Sequence, residues 1–142
     1  MPASGVERDA DGVTVRIVLD GERPKSWNML KDWRSRKREN DRIALRVRAA
    51  LPAAVVNGDG FPLRTPCAVR VAVYFAGRRY DKDNIPAKFY VDACKGWIVV
   101  NDSPRQVAAV LPESLSDRRA PRTEIVITTK QGEIAQWVAS LL

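Results

Sequence analysis

Two segments of alternating apolar residues, separated by a long basic segment, most strongly constrain how this chain folds. Residues 13–20 alternate apolar with polar side chains, and residues 69–75 repeat the alternation. A period of two predicts a half-buried β-strand in each segment. Between them, residues 29–51 place apolar side chains among charged ones at helical spacing. Either one helix spans this whole segment, or a basic loop leads into a shorter helix from about Arg36.

The remaining elements are predicted from shorter apolar runs and from the Gly, Pro and Asn residues that typically begin or end helices and form turns. Residues 53–66 contain an Asn-Gly-Asp-Gly run and two prolines, which predict a loop. A short helix is expected from about Ile85 to Lys95, with Asn84 as its N-cap, Pro86 in its first turn and Gly96 as its stop. Further strands are expected at Trp97–Val100, Gln106–Leu111 and Glu124–Thr129, and a terminal helix at Ile134–Leu142.

These elements predict an α+β fold in one domain. We expect a mixed β-sheet of about four to five strands, packed against one long basic helix and one short helix that carries active-site residues. Residues 1–12 are predicted to be a disordered lead-in, and residues 13–142 to form the domain. The polar N-terminus lacks the apolar core of a secretion signal, and no apolar run is long enough to span a bilayer. A cytoplasmic protein without a membrane partner is therefore expected, and a nucleoid-associated one if it is bacterial.

The composition excludes several kinds of chemistry. The chain has no histidine, which rules out a Ser-His-Asp triad, a Cys-His pair and histidine-bound zinc. Its two cysteines, Cys67 and Cys94, are far apart and are predicted to be reduced and buried. General acid–base work falls to carboxylates, Lys, Tyr or metal-bound water.

The net charge of +7 favours a polyanionic partner. Residues 31–48 hold eight basic residues against three acidic ones. Such a segment is typical of a surface that contacts phosphates and positions a duplex without reading its sequence, although a solvated helix face has the same composition. The predicted DNA-binding residues are Lys31, Arg34, Arg36, Lys37, Arg38, Arg42, Arg78 and Arg79.

The aromatic residues leave two roles open. Trp27 and Trp33 flank the start of the basic segment and either stack on bases or, as we favour, pack in the core or at a dimer contact. Trp97 and Trp137 are predicted to be core residues. The consecutive residues 89–91 on the short helix are apolar or aromatic, so we expect at least one to face a dimer interface.

Against this basic background, residues 81–102 gather carboxylates. Asp81 and Asp83 point to the same side if the chain is extended there. Lys88 and Asp92 are four residues apart and share a helix face. Asp102 follows a four-residue apolar run, which could deliver it to the same pocket. Crowded carboxylates with a neighbouring lysine favour Mg²⁺ and phosphodiester chemistry, but an ordinary loop and a surface ion pair have the same spacing.

The run Arg78-Arg79-Tyr80-Asp81-Lys82-Asp83-Asn84 is followed by Lys88, Asp92-Ala93, Gly96-Trp97 and Asn101-Asp102. In this order it resembles the RusA family of Holliday junction resolvases, whose pattern is D-x-D-N, a lysine, a D-A helix and a D-D pair. The likeness is densest over residues 78–110, and extends upstream to Pro24, Ser26 and Asn28. It implies a RusA-like fold, a homodimer and paired nicks across four-way DNA junctions in recombination and repair. It further implies Mg²⁺ as cofactor, with Mn²⁺ as a substitute, and no nucleotide cofactor.

Carried over by position, the resemblance implies Asp81, Asp83 and Asp102 as catalytic metal-binding residues and Lys88 as the catalytic lysine. Asp92 matches the acidic residue of the helix and is an additional candidate ligand. The lysine lies five residues after the second aspartate where the family places it four after, and Asn101 stands in place of the first acid of the D-D pair.

Three hypotheses follow from these features. The first is a Mg²⁺-dependent, structure-selective endonuclease. The second is a DNA-junction-binding protein of the same fold that is catalytically weak or inactive, because of the shifted lysine and the neutral Asn101. The third is an RNA-associated basic protein.

Overall fold

The computed structural model describes residues 3–142, in which five strands form one mixed sheet. The strand order is β1-β2-β5-β3-β4, and only β3 and β4 run parallel. The strands are β1 (Gly5–Asp9), β2 (Gly12–Asp20), β3 (Cys67–Phe75), β4 (Val107–Ser116) and β5 (Arg122–Thr128). The prediction of an α+β fold with a mixed sheet of four to five strands is confirmed.

The two alternating segments form the strands that the sequence predicts. In β2, Val15, Ile17 and Leu19 are fully buried, and Ile17 lies opposite Ile125 of β5. β3 lies inside the sheet between β5 and β4, and its alternate positions Val69, Val71 and Val73 all belong to the main core. Its opposite face is also covered, which explains why Ala68 and Ala72 are buried as well.

The helices are α1 (Trp33–Ala49), α2 (Ala53–Val56), α3 (Ala87–Cys94) and α4 (Gln131–Ser140). α1 begins at a capping box, in which the Asp32 carboxylate accepts from the Ser35 N–H at 2.7 Å. It is the predicted basic helix, with a start between the two predicted ones. It packs on α3 and β2 through Ile43 and Val47, while α4 packs on β3 and β4.

The predicted disordered lead-in is wrong for Gly5–Asp9, which form β1. This strand pairs antiparallel with β2 at the sheet edge, where one face stays exposed and a polar sequence suffices. The connecting turn is closed by the Asp9 carboxylate, which accepts from the backbone N–H groups of Asp11 and Gly12 at 2.8 and 3.2 Å. Met1 and Pro2, which belong to the predicted lead-in, lie outside the described residues.

Two local predictions near the acidic residues are also wrong. Trp97–Val100 is not a strand but a tight turn, in which Val99 forms isolated bridges to Leu63 and Lys95. Asn84 is not the N-cap of α3; it ends a 3-10 turn at Lys82–Asn84. The reason is Pro86, which disfavours the helical conformation of the residue before it, so Ile85 is extended and α3 begins only at Ala87. Gly96 does follow the helix end, with φ of +81°.

The outer elements differ from prediction mainly in length. The predicted loop 53–66 contains the short helix α2, β4 extends to Ser116, and α4 begins three residues earlier than expected. No helix within residues 3–142 combines the length and apolar character needed to cross a bilayer.

Candidate functional site

Asp81 and Asp83 lie on a turn that is anchored through the preceding residue, Tyr80. The Tyr80 hydroxyl donates to the Pro24 carbonyl oxygen, and the Tyr80 carbonyl accepts from the Ser114 hydroxyl at 2.6 Å. The Tyr80 ring also packs edge-on against Phe75, with centroids 4.9 Å apart, and burial raises its pKa to about 12. The turn that follows therefore begins at a residue that is anchored to β4 and to the segment before α1.

Both aspartates on this turn are exposed, but the geometry that presents them is not the expected one. Asp81 is extended, whereas Asp83 lies inside the Lys82–Asn84 3-10 turn. The period-of-two argument for two carboxylates on one side of a strand is therefore wrong. What the turn provides is two solvent-accessible carboxylates that form no salt bridge within residues 3–142.

Helix α3 presents Lys88 to solvent and holds Asp92 half-buried one turn later. The intervening Phe89, Tyr90 and Val91 are all buried within the chain, since α3 is packed beneath α1. Phe89 meets Trp27 edge-on, with centroids 5.1 Å apart. The expectation that one of these three faces a dimer interface is therefore wrong.

Lys95 connects two of the predicted site residues. Its Nζ lies 3.6 Å from Asp92 Oδ1 and 3.7 Å from Asp102 Oδ2. Asp92 Oδ1 is otherwise buried without a hydrogen-bond partner among the described residues. Asp92 and Asp102 are thus brought together around one ammonium group, a contact that the sequence analysis missed. Of its two ion pairs, only the one with Asp92 could have been recognised in the sequence, from the i,i+3 spacing of Asp92 and Lys95.

Gln106, which the sequence analysis also missed, shapes the loop that carries Asp102. Its Oε1 accepts from the backbone N–H groups of Val100 and Asn101 at 3.0 and 3.1 Å, and its amide donates to the Leu63 carbonyl. The Asn101 side chain accepts from the Ser103 N–H at 2.9 Å. Asn101 thus contributes a turn-stabilising acceptor at the position where the family pattern has an acid.

The chemistry of the donor set fits Mg²⁺, because aspartate oxygens are its preferred protein ligands and it needs only one or two carboxylates beside its waters. The arrangement is less complete than the resemblance implies. Within residues 3–142 no group of three or more Asp, Glu, Cys or His side chains is placed to hold a metal ion. Asp92 and Asp102 instead form a pair about Lys95, and Asp81 and Asp83 share the exposed turn.

All eight predicted DNA-binding residues are exposed, and seven of them are not tied to a buried carboxylate within residues 3–142. Several make weak or local contacts: Lys37 pairs with Asp41 at 2.7 Å, and Arg79 donates to the Ser114 carbonyl at 3.3 Å. The Arg36 Nε donates to the Leu30 carbonyl at 3.0 Å. Exposed pairs of this kind contribute little energy and can be exchanged for phosphate contacts. The seven predicted DNA-binding residues other than Arg42 are Lys31, Arg34, Arg36, Lys37, Arg38, Arg78 and Arg79.

Arg42, the eighth, is 44% exposed, but its guanidinium is held by two carboxylates inside the protein. Its guanidinium pairs bidentately with Glu22 at 2.8 and 2.9 Å and with Glu39 at 2.8 and 3.0 Å. Both carboxylates are only 3% exposed. Glu22 also accepts from the Tyr90 hydroxyl at 2.8 Å, and Glu39 from the Lys25 N–H at 2.7 Å. This network ties the segment before α1 to α1 and α3.

The ionisation of this network follows from its contacts. Burial alone would raise the pKa of Glu39, but the hydrogen bonds from Arg42 and the Lys25 N–H outweigh it and lower that pKa. The hydrogen bonds that the Arg42 guanidinium donates to Glu22 and Glu39 raise its pKa, so Arg42 stays charged. Burial raises the pKa of the Tyr90 hydroxyl.

The tryptophans divide into packed and exposed ones. Trp27 packs on Phe89, Trp97 is half-buried with the Arg48 guanidinium 5.3 Å from its ring centroid, and Trp137 packs beside Ile134. Trp33 is 66% exposed, so core packing within the chain is the wrong interpretation for it.

The chain matches no protein-family model and no curated protein.

Proposed function

We propose that the protein is a Mg²⁺-dependent, structure-selective endonuclease that resolves four-way DNA junctions by paired phosphodiester hydrolysis. The observation that carries the proposal is the segment from Tyr80 to Asp102. It combines an anchored turn exposing two aspartates with a free surface lysine on the next helix, in the residue order that resembles the RusA family. Its action on DNA would place it in the cytoplasm, and on the nucleoid if it is bacterial.

The residues would divide the work as follows. By the resemblance, Asp81, Asp83 and Asp102 would hold the metal, with Asp92 as an additional ligand. Because no three acids within residues 3–142 are already placed to hold an ion, metal binding would have to draw the exposed turn and the Asp92–Asp102 pair together. When bound, Mg²⁺ would polarise a phosphoryl oxygen and lower the pKa of a bound water. The Lys88 ammonium is exposed and forms no salt bridge within residues 3–142, so it is free to stabilise charge that develops on the phosphoryl or leaving-group oxygens.

Lys95 fits this scheme as the residue that keeps Asp92 and Asp102 together. Two neighbouring carboxylates repel and tend to hold a proton, and a cation between them relieves that repulsion. Lys95 would therefore hold both side chains close before a divalent cation binds. Its exposed position allows it to swing away into solvent, because 40% of its side chain is accessible.

The basic residues on α1 and at Arg78 and Arg79 would contact phosphates. Each neutralised phosphate contributes a slope of about 0.9 to the dependence of log affinity on log salt for duplex DNA. Such contacts suit an enzyme that recognises the shape of a junction. Cutting both strands symmetrically requires two active sites, for which a homodimer is the simplest arrangement.

A second candidate function is a DNA-junction-binding protein of the same fold with weak or no catalysis. The observation that favours it is the Lys95 contact with Asp92 and Asp102, in a chain whose described residues contain no three-acid group. In that case Lys95 permanently replaces the metal as counter-ion.

One experiment separates the two candidates. A labelled synthetic four-way junction is incubated with the protein in Mg²⁺, Mn²⁺ or EDTA, and products are resolved on native and denaturing gels. Symmetric nicks that need a divalent cation support the nuclease. Binding without nicks in either metal supports the second candidate. Competition by structured RNA that exceeds competition by the unlabelled junction would favour an RNA-associated protein instead.

A further inference from the structure

Trp33 is the first residue of α1 and lies largely in solvent. Its side chain is 66% exposed, and Met29 on the preceding 3-10 turn is 61% exposed. Among the described residues Trp33 is the only aromatic with such exposure. An exposed indole is unfavourable in water, and tryptophan is among the residues enriched at interaction surfaces.

The surroundings of Trp33 are strongly basic. The Arg34 guanidinium lies 5.5 Å from the Trp33 ring centroid, and Lys31 is exposed two residues before it. One turn further along α1, the exposed residues are Arg36, Lys37 and Arg38. The nearby acids are already occupied: Asp32 accepts from the Ser35 N–H within the capping box, and Asp41 pairs with Lys37.

An exposed indole surrounded by basic side chains suits some kinds of partner better than others. A second copy of the chain docked symmetrically on this patch would place Arg34 and its basic neighbours near their own counterparts, and such like-charge contacts are costly. A nucleic acid has the complementary properties, because it carries phosphates for the basic side chains and flat apolar base faces for the indole.

We infer that Trp33, with the exposed Arg34 guanidinium near its ring and further basic residues along the helix, is a stacking platform for unpaired bases of DNA. The inference rests on the proposed function in taking DNA as the partner, but it needs no catalysis. It assigns α1 two roles: its basic side chains hold the phosphate backbone, and its first residue engages a base that has left the duplex.

The test compares Trp33→Ala and Trp33→Phe with a matched control, Leu45→Ala. Leu45 lies on the same helix and is 69% exposed, so its removal deletes a similar bare apolar side chain. Affinities are measured by fluorescence anisotropy, in EDTA, for a single-stranded oligonucleotide, a four-way junction and a fully paired duplex.

Because one base–aromatic stack is lost, Trp33→Ala should weaken single-strand binding roughly tenfold. Junction binding should fall by less, and duplex binding should stay within about twofold, since the phosphate contacts remain. Trp33→Phe should retain part of the affinity, and Leu45→Ala should match the wild type. Steady-state fluorescence should also show an indole quenched by single-stranded DNA in the wild type and in Leu45→Ala, but not in Trp33→Phe.

Equal loss on all three DNAs, or no loss on any, overturns the inference. So does a Trp33→Ala variant that changes oligomeric state in sedimentation velocity, because the patch would then be a protein interface. Failure of the proposed nuclease has a different signature: the junction would stay uncut in Mg²⁺ and Mn²⁺ while the Trp33-dependent difference between single strand and duplex persisted.

Discussion

Arg42→Met should destabilise the protein strongly while leaving its electrostatic contact with DNA intact. The substitution keeps an unbranched side chain of similar length but removes a guanidinium that makes four hydrogen bonds to Glu22 and Glu39. Those two carboxylates are 3% exposed and would remain buried without their cation. Only the contacts of the Tyr90 hydroxyl and the Lys25 N–H would be left to them.

The size of the effect follows from burial. Removing one partner of a buried ion pair costs about 3–5 kcal/mol. Because the Arg42 side chain is itself 44% exposed, water can partly replace it, so we expect the low end, about 3 kcal/mol. That corresponds to roughly a 150-fold smaller folding constant and a melting temperature lower by roughly 10 °C.

Urea unfolding followed by tryptophan fluorescence measures the loss, with Arg38→Met as the matched control. Arg38 lies one turn earlier on the same helix, is exposed, and makes no salt bridge within residues 3–142. Arg38→Met should unfold like the wild type but lower the salt slope of DNA binding by about 0.9. Arg42→Met should lower the stability and leave the salt slope unchanged. A stability change below about 0.5 kcal/mol for Arg42→Met, a size typical of ordinary surface substitutions, would refute the structural role of the network.

Three further predictions concern ionisable groups. The folded state lowers the pKa of Glu39 below its ordinary value of 4.5, so its contribution to stability is complete above pH 4.5 and is lost as pH falls further. Urea unfolding at a series of acidic pH values should therefore show a decline in the free energy of unfolding, and Glu39→Gln should make that decline shallower. Burial raises the pKa of Cys67 to about 11 and that of Cys94, which Cys67 also influences, to about 12; a thiol reagent at mildly alkaline pH should therefore label neither in the native protein and both in urea, and prompt native labelling would contradict their burial. Lys95→Met should increase the rise in melting temperature that MgCl₂ produces, because the lysine no longer competes for its two aspartate partners; an unchanged rise would show that Lys95 and the metal do not share these ligands.

The sheet and the basic helix were predictable because their patterns are local. In β2 and β3 every second residue is apolar and the core lies on that side, so the period alone identifies each strand. α1 was predictable for the same reason, but its start required the Asp32–Ser35 capping box, which the sequence analysis overlooked. The edge strand β1 escaped prediction because an edge exposed on one face has a composition close to that of a disordered segment.

The parts of the site that escaped prediction depend on long-range contacts. Glu22 and Tyr90 are 68 residues apart, and Gln106 meets Leu63 across 43 residues; no local pattern reports such partners. The Arg42 network depends on Glu22, 20 residues away, which no local pattern reports. Lys95 is different: its partners Asp92 and Asp102 are near in sequence, and the i,i+3 spacing of Asp92 and Lys95 was overlooked. The extended geometry expected for Asp81 and Asp83 was wrong for a local reason. The chain between the anchored Tyr80 and Pro86 forms a 3-10 turn.

In the proposed function, the exposed aspartates after Tyr80 support metal-dependent cleavage of branched DNA. The most direct measurement is the rate of four-way junction cleavage in Mg²⁺ by the wild type, Asp83→Asn and Asp11→Asn. Asp11 is an exposed aspartate of the β1–β2 turn, so its substitution makes the same charge change away from the site. We expect symmetric nicks by the wild type and Asp11→Asn, and no cleavage by Asp83→Asn despite unchanged junction binding. Cleavage by Asp83→Asn at near the wild-type rate, or a wild type that binds the junction but never cuts it, would rule out these aspartates as the nuclease site.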